Sequence, residues 1–111
     1  MKPRFDAYDA ALAMVAALRP ILAQLRKGDR ALADQLRRAG SSVVLNIAEG
    51  NRRTGQDRVQ FFRIAAGSAA EVRAALEVAR AWGMVDPAPR AETELDRVLA
   101  MLWRLTHPRR R

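Results

Sequence analysis

The stretch Leu32-Ala33-Asp34-Gln35-Leu36-Arg37-Arg38-Ala39-Gly40-Ser41-Ser42-Val43-Val44-Leu45-Asn46-Ile47-Ala48-Glu49-Gly50 decides the fold. Leu32, Leu36, Ala39, Val43, Ile47 and Gly50 recur at steps of three and four, the period of one helical face. Gln35, Arg38, Ser42, Asn46 and Glu49 recur at the same period, so a polar stripe runs beside the apolar one. A helix over residues 30–51 with two such faces must bury its apolar side against other helices.

Toward the N-terminus, Phe5, Tyr8, Leu12, Val15, Leu18, Leu22 and Leu25 predict a helix over 6–27. Pro20 lies inside it and predicts a kink near Ala16–Arg19, because proline lacks the backbone donor and clashes one turn back. Gly28 reads as the stop and Asp29 as the cap of the next helix. Toward the C-terminus, Val59, Phe62, Ala66, Ala69, Val72, Leu76 and Ala79 predict a helix over 55–82, opened by a Thr54/Asp57 capping box and closed by Gly83. Phe61, Ile64, Ser68 and Glu71 form its neighbouring stripe, and the small residues Ala65–Ala70 allow close approach of another backbone. Asp86-Pro87-Ala88-Pro89 reads as a cap and first turn. Ala91, Leu95, Val98, Leu102 and Leu105, widened by Leu99 and Trp103, then predict a helix over 87–105. Glu92, Glu94 and Asp96 early and Arg104 late suit the helix dipole. Pro108 ends the pattern, and 107–111 reads as a basic tail carrying Arg109, Arg110 and Arg111. Four amphipathic helices with short connections predict an all-α, antiparallel up-down-up-down bundle forming a single domain over 1–111.

Composition narrows the chemistry. The 111 residues suit one core, and 22 of the hydrophobic half are Ala, which favours thin, closely packed helices. Cysteine is absent, which excludes disulfides, Cys-ligated zinc and thiol chemistry. A single histidine, His107, excludes a multi-histidine metal site. Ser41 and Ser42 have no histidine nearby in sequence, and no phosphate loop or nucleophile elbow occurs. No cofactor and no metal are expected. No uninterrupted apolar run approaches the ~18 residues of a membrane span, and no signal peptide is evident, so a cytoplasmic protein without membrane attachment is expected.

Charge is the strongest signal. Lys and Arg number 20 against 12 acids, a net +8, and 18 of the 20 are Arg. Such a chain attracts polyanions, and guanidinium groups match phosphate bidentately. A gene's base composition produces the same Arg-over-Lys bias. Candidate phosphate contacts are Arg26, Lys27 and Arg30 around the first turn, Arg52, Arg53 and Arg58 around the second, and Arg37 on an exposed face, with Arg63 and Arg73 as further exposed candidates. The alternative is ordinary solvation with i,i+4 pairs such as Asp34 with Arg38 or Arg30 with Asp34. Phe61, Phe62, Trp82 and Trp103 fall on or near apolar stripes and read as core or interface residues. That reading favours backbone or shape recognition over base stacking. Gln35, Arg38, Ser42, Asn46 and Glu49, with Ser68 and Glu71 from the next helix, read as a structural polar network in which Arg38 pairs with Glu49 or Glu71 inside the bundle or at a subunit boundary. The alternative is a binding or catalytic cleft built on Glu49, Arg38 and Glu71.

Gln35-Leu36-Arg37-Arg38-Ala39, Ser42-Val43-Val44-Leu45-Asn46-Ile47-Ala48-Glu49-Gly50 and Phe61-Phe62-Arg63-Ile64-Ala65-Ala66-Gly67-Ser68-Ala69-Ala70-Glu71 together resemble the bacterial four-helix-bundle family of 23S ribosomal RNA intervening-sequence proteins. The resemblance is close in both central helices and extends to the outer two in length and pattern. Val43 stands where the family usually has Ile, and Val44 where it often has Pro; Pro20 is unusual. The resemblance implies a bundle that assembles into a closed homopentameric ring, and it implies no established activity. Related bundles are accessory proteins of diversity-generating retroelements, where they bind a reverse transcriptase and nucleic acid. The expectation is therefore a non-enzymatic homo-oligomer that binds nucleic acid, with RNA favoured over DNA, through a basic surface. The alternative is an interaction scaffold docking onto a partner such as a reverse transcriptase.

Overall fold

A single residue, Asp29, separates the first two helices of the computed structural model, which describes residues 6–107. Its backbone is extended, and its carboxylate accepts the Leu32 N–H at 2.9 Å, so it caps the second helix as its residue type predicts. The four helices are α1 (Asp6–Gly28), α2 (Arg30–Asn51), α3 (Gly55–Ala81) and α4 (Pro89–Thr106), and the described residues contain no strand. Phe5, Pro108 and Arg109–Arg111 lie outside the described residues.

The boundaries depart from the sequence pattern where a side chain finds a better partner than the expected cap. Gly28 stays helical, and the break falls at Asp29. Thr54 occupies the N-cap of α3 but makes no side-chain cap, and Asp57, the other half of the expected box, bonds to Arg53. Asp86 exchanges hydrogen bonds with the Gln24 amide of α1, which leaves α4 to begin at Pro89 rather than at 87. Proline suits that first turn because its missing N–H has no partner there anyway. Gly83, at φ +71°, closes α3: its N–H reaches the Arg80 carbonyl and the next N–H, of Met84, reaches Ala79, both at 2.9 Å. This pair of bonds is a Schellman closure, and the left-handed residue in it favours glycine. Pro20 leaves α1 continuous from Asp6 to Gly28. Pro20 and Ala16 are both exposed, so the carbonyl deprived of its donor lies on the watered side.

The helices pack in cyclic order, α1 on α2, α2 on α3, α3 on α4 and α4 on α1, with the α2–α3 contact the most extensive. The molecule measures 47 × 28 × 20 Å, and its long dimension matches the ~40 Å of a helix the length of α3. Met14, Leu18, Leu25, Leu36, Val43, Ile47, Phe62, Val72, Leu95, Val98 and Leu102 are buried, with alanines such as Ala11, Ala33, Ala65, Ala69 and Ala79 between them. Those small residues let the backbones approach, as the alanine-rich composition suggests. Helix α1 carries an 18-residue window of mean hydropathy 1.2, so by length and composition it is apolar enough to cross a membrane, which uninterrupted apolar runs do not reveal. In this fold Ala7, Ala10, Ala11, Met14, Leu18, Ile21 and Leu25 of that helix are buried against the other helices.

The expected polar network is only partly assembled. Ser42 Oγ and Ser68 Oγ are 2.7 Å apart, and Asn46 Nδ2 donates to the Ser42 carbonyl and hydroxyl at 2.9 and 3.0 Å. These three half-buried residues join α2 to α3. Gln35, Arg38 and Glu71 share their helical faces but are exposed. Among the described residues no ion pair joins Arg38 to Glu49 or Glu71; Glu49 binds Arg53 at 2.9 Å. For Glu49 the reason is reach, since Arg53, just past the end of α2, lies four residues from it while Arg38 is three turns away along the helix.

Candidate nucleic-acid interface

The basic candidates separate into two groups with different surroundings. Arg26 and Lys27 end α1 and Arg30 begins α2, so Asp29 gathers all three around one tight turn. All are exposed, and among the described residues none forms an ion pair. Arg37 is likewise exposed, beside a shallow depression lined by Val15, Leu22 and Ser41. The suggested Asp34–Arg38 and Arg30–Asp34 pairs do not form among the described residues.

The α2–α3 corner holds Arg52, Arg53 and Arg58, and treats each differently. Arg53 bridges two carboxylates one turn to either side, Glu49 at 2.9 Å and Asp57 at 3.2 Å, and its guanidinium lies 5.1 Å from the Phe61 ring centre. The hydrogen bond and charge of Glu49, aided by Asp57, raise its pKa above the ordinary arginine value. Arg58 reaches back from α3 and donates to the carbonyls of Gly50 and Asn51 at 3.2 and 3.4 Å. It thereby satisfies carbonyls at the C-terminus of α2, where the helix dipole favours a cation. Its guanidinium also covers the Phe62 ring at 4.8 Å. Phe62 in turn lies so close to Gly50 that a Cβ there would stand 2.6 Å from the ring, which explains glycine at that helix position. Arg52 is exposed and, among the described residues, free of ion pairs.

Elsewhere the surface arginines divide in the same way. Arg73 bonds to Asp96, and Arg80 to Glu92 at 2.9 Å, lacing α3 to α4. Arg97 stands 3.7 Å from Glu94. Arg63 and Arg104 are exposed without an ion pair among the described residues.

Of the four aromatics expected in core or interface positions, only Phe62 belongs to the core. Phe62 is buried and Phe61 half-buried, but Trp82 and Trp103 are 71% and 61% exposed. Trp103 stacks on His107, with centroids 4.2 Å apart and planes 11° from parallel. Their spacing of one helical turn was the available signal, since residues four apart share a face. An open groove of about 520 Å³ is lined by Gln56, Asp57, Val59, Gln60 and Arg63 of α3 and by Thr106 of α4. Among the described residues no three of His, Cys, Asp and Glu gather as a metal site would require.

No curated protein matches the chain. Its fold is similar to that of a protein of unknown function from the S23 ribosomal protein family of Bacteroides thetaiotaomicron, solved by crystallography. The TM-score is 0.79 at 18% identity, covering 90% of this chain and 97% of that one. The profile of the 23S rRNA-intervening sequence proteins matches residues 4–104. With nearly the whole of its helical region inside that match, the chain belongs to the 23S rRNA-intervening sequence protein family.

Proposed function

We propose that this protein is a non-enzymatic, self-associating bundle that binds nucleic acid, RNA in preference to DNA, through its unpaired basic surface. The observation that carries the reading is the set Arg26, Lys27, Arg30, Arg37 and Arg52, all exposed and, among the described residues, without ion pairs, on a chain of net charge +8. Unneutralised cations of this kind release counterions when they meet phosphates. The family name ties these chains to ribosomal RNA genes, which favours RNA as the polyanion.

Within this reading the helices alternate in direction. Ser42 meets Ser68 and Gly50 meets Phe62, a correspondence that supports antiparallel α2 and α3; Arg80 with Glu92 and Arg73 with Asp96 support the same for α3 and α4. Self-association is supported by large apolar residues left exposed on α2 and α3. Leu45 is 67% exposed, and Ile64 and Val78 of α3 and Trp82 at its C-cap are exposed too. The exposed, unpaired Arg38 and Glu71 on the same side offer complementary charges to a second copy. A closed ring of five copies is the assembly that the family resemblance implies, and it concentrates the basic groups on one particle.

Binding of a labelled structured RNA at two salt concentrations, with particle mass measured in the same buffer, tests both parts. The expected result is an oligomer whose affinity falls steeply with salt and is weakened in the Arg52→Ala/Arg53→Ala double variant. A well-folded oligomer that binds no RNA at low salt overturns the nucleic-acid reading and leaves a protein partner as the occupant. A monomeric mass overturns the assembly.

A further inference from the structure

The outer end of α4 carries a feature that backbone contacts alone do not use. Trp103 is a large apolar ring held in water, 61% exposed, and His107 covers it as a parallel second ring. The pair is held in place from below. His107 donates its backbone N–H to the Trp103 carbonyl at 2.9 Å, and its Nδ1 lies 2.9 Å from that carbonyl and 3.1 Å from the Thr106 hydroxyl. Thr106 is buried and donates to the Leu102 carbonyl at 2.8 Å. The last turn of the helix therefore presents a flat, pre-positioned aromatic stack instead of a freely rotating side chain.

The surroundings define what fits it. Thr106 also lines the groove, whose volume of about 520 Å³ is inside the ~300–1,000 Å³ of clefts that take small ligands. The Gln56 and Gln60 amides on its wall carry both donors and acceptors, the combination that base edges require. Arg63 on the same wall and Arg104 beside Trp103 are exposed and, among the described residues, without ion pairs. Aromatic face, amide groups and unneutralised guanidinium groups at one end of the molecule match the three parts of a nucleotide.

From this we infer that the Trp103–His107 stack and the adjoining groove form a site for an unpaired stretch of RNA, in which a base stacks on Trp103 and Arg63 and Arg104 meet the flanking phosphates. The inference rests on the nucleic-acid reading above and adds to it the recognition of single strands. A base buried in an A-form duplex has no free face to offer an indole, whereas an unstacked base in a loop or end does. The surplus positive charge argues for this occupant over an apolar protein segment.

The test uses the full chain carrying Trp82→Phe, which leaves Trp103 as its sole tryptophan. Its fluorescence is titrated with a short oligouridylate and, separately, with an RNA duplex of equal phosphate number. The expected result is quenching by the single strand and little by the duplex. Trp103→Ala then weakens oligouridylate binding by about 5- to 100-fold, the range for losing one stacked base. Trp103→Phe retains most of the affinity, and duplex binding is unchanged in both. Thermal melts confirm folding; should the alanine variant melt early, the phenylalanine variant and the quenching carry the test. Binding of the single strand with no quenching, or with unchanged affinity in Trp103→Ala, overturns this site and leaves the general nucleic-acid reading standing. Absence of binding to either RNA at low salt overturns both.

Discussion

Two clusters of basic residues, alike in composition, differ in what their charges are already doing. Around the α1–α2 turn, Arg26, Lys27 and Arg30 face water with no ion pair among the described residues. At the α2–α3 corner, Arg58 binds the carbonyls of Gly50 and Asn51, Arg53 is held between Glu49 and Asp57, and only Arg52 resembles the first group. A run of arginines is therefore not one kind of surface. A guanidinium that closes a helix end is unavailable to phosphate, and its removal is felt in stability. A guanidinium in water contributes little to stability and remains open to a polyanion.

The largest effect that bears on this contrast lies under the corner itself. Phe62 is buried against Gly50 and beneath Arg58, so Phe62→Ala is expected to cost about 3–5 kcal/mol in urea unfolding. A loss below about 1 kcal/mol would show that the corner is not anchored there. Next comes the direct comparison of arginines. Arg58→Ala should lower stability by about 1–2 kcal/mol, because α2's terminal carbonyls lose a charged donor at a half-buried position. Arg26→Ala should change it by less than about 0.5 kcal/mol. Equal losses in the two variants would break the distinction.

A smaller effect is expected further along the α2–α3 seam. Ser42→Ala removes the hydroxyl shared by Asn46 and Ser68 and should cost about 1 kcal/mol. The Ser42→Ala/Ser68→Ala double variant should cost less than the sum of the single losses, since neither hydroxyl is then left facing an empty partner. Full additivity would mean that the two residues act independently. The smallest effect sharpens the contrast from the binding side. Glu49→Gln releases Arg53 from its nearer carboxylate, and RNA affinity should rise by no more than about five-fold. A fall in affinity would show that Arg53 needs Glu49 to be placed correctly.

Much of the architecture was legible because it depends on local periodicity. Leu36, Val43 and Ile47, spaced by helical turns, are buried as their pattern predicts, and Asp29 caps α2 as its type and position suggest. Caps that competed with a more distant partner were not legible. Asp57 turns to Arg53 and Asp86 to Gln24, and the second of those partners lies in another helix. The polar stripe predicts a single network, yet among the described residues only Ser42, Asn46 and Ser68 of that stripe bond to one another. Sharing a helical face does not say whether that face meets a neighbour or water. The same gap separates Phe62 from Trp103, since both stand near apolar stripes and only one is buried.

The sequence by itself determined four amphipathic helices, their approximate limits, the family and the surplus of positive charge. Each of these follows from residue type and spacing within about one helical turn. Tertiary structure alone decided that Arg73 and Arg80 are neutralised from the next helix, that Arg58 closes the preceding helix, and that Trp103 and His107 form an exposed stack next to Thr106, which lines a groove. Those properties depend on distances between residues that belong to different turns or different helices. Such distances are set only when the apolar faces pack and bring the remaining side chains to one place or hold them apart.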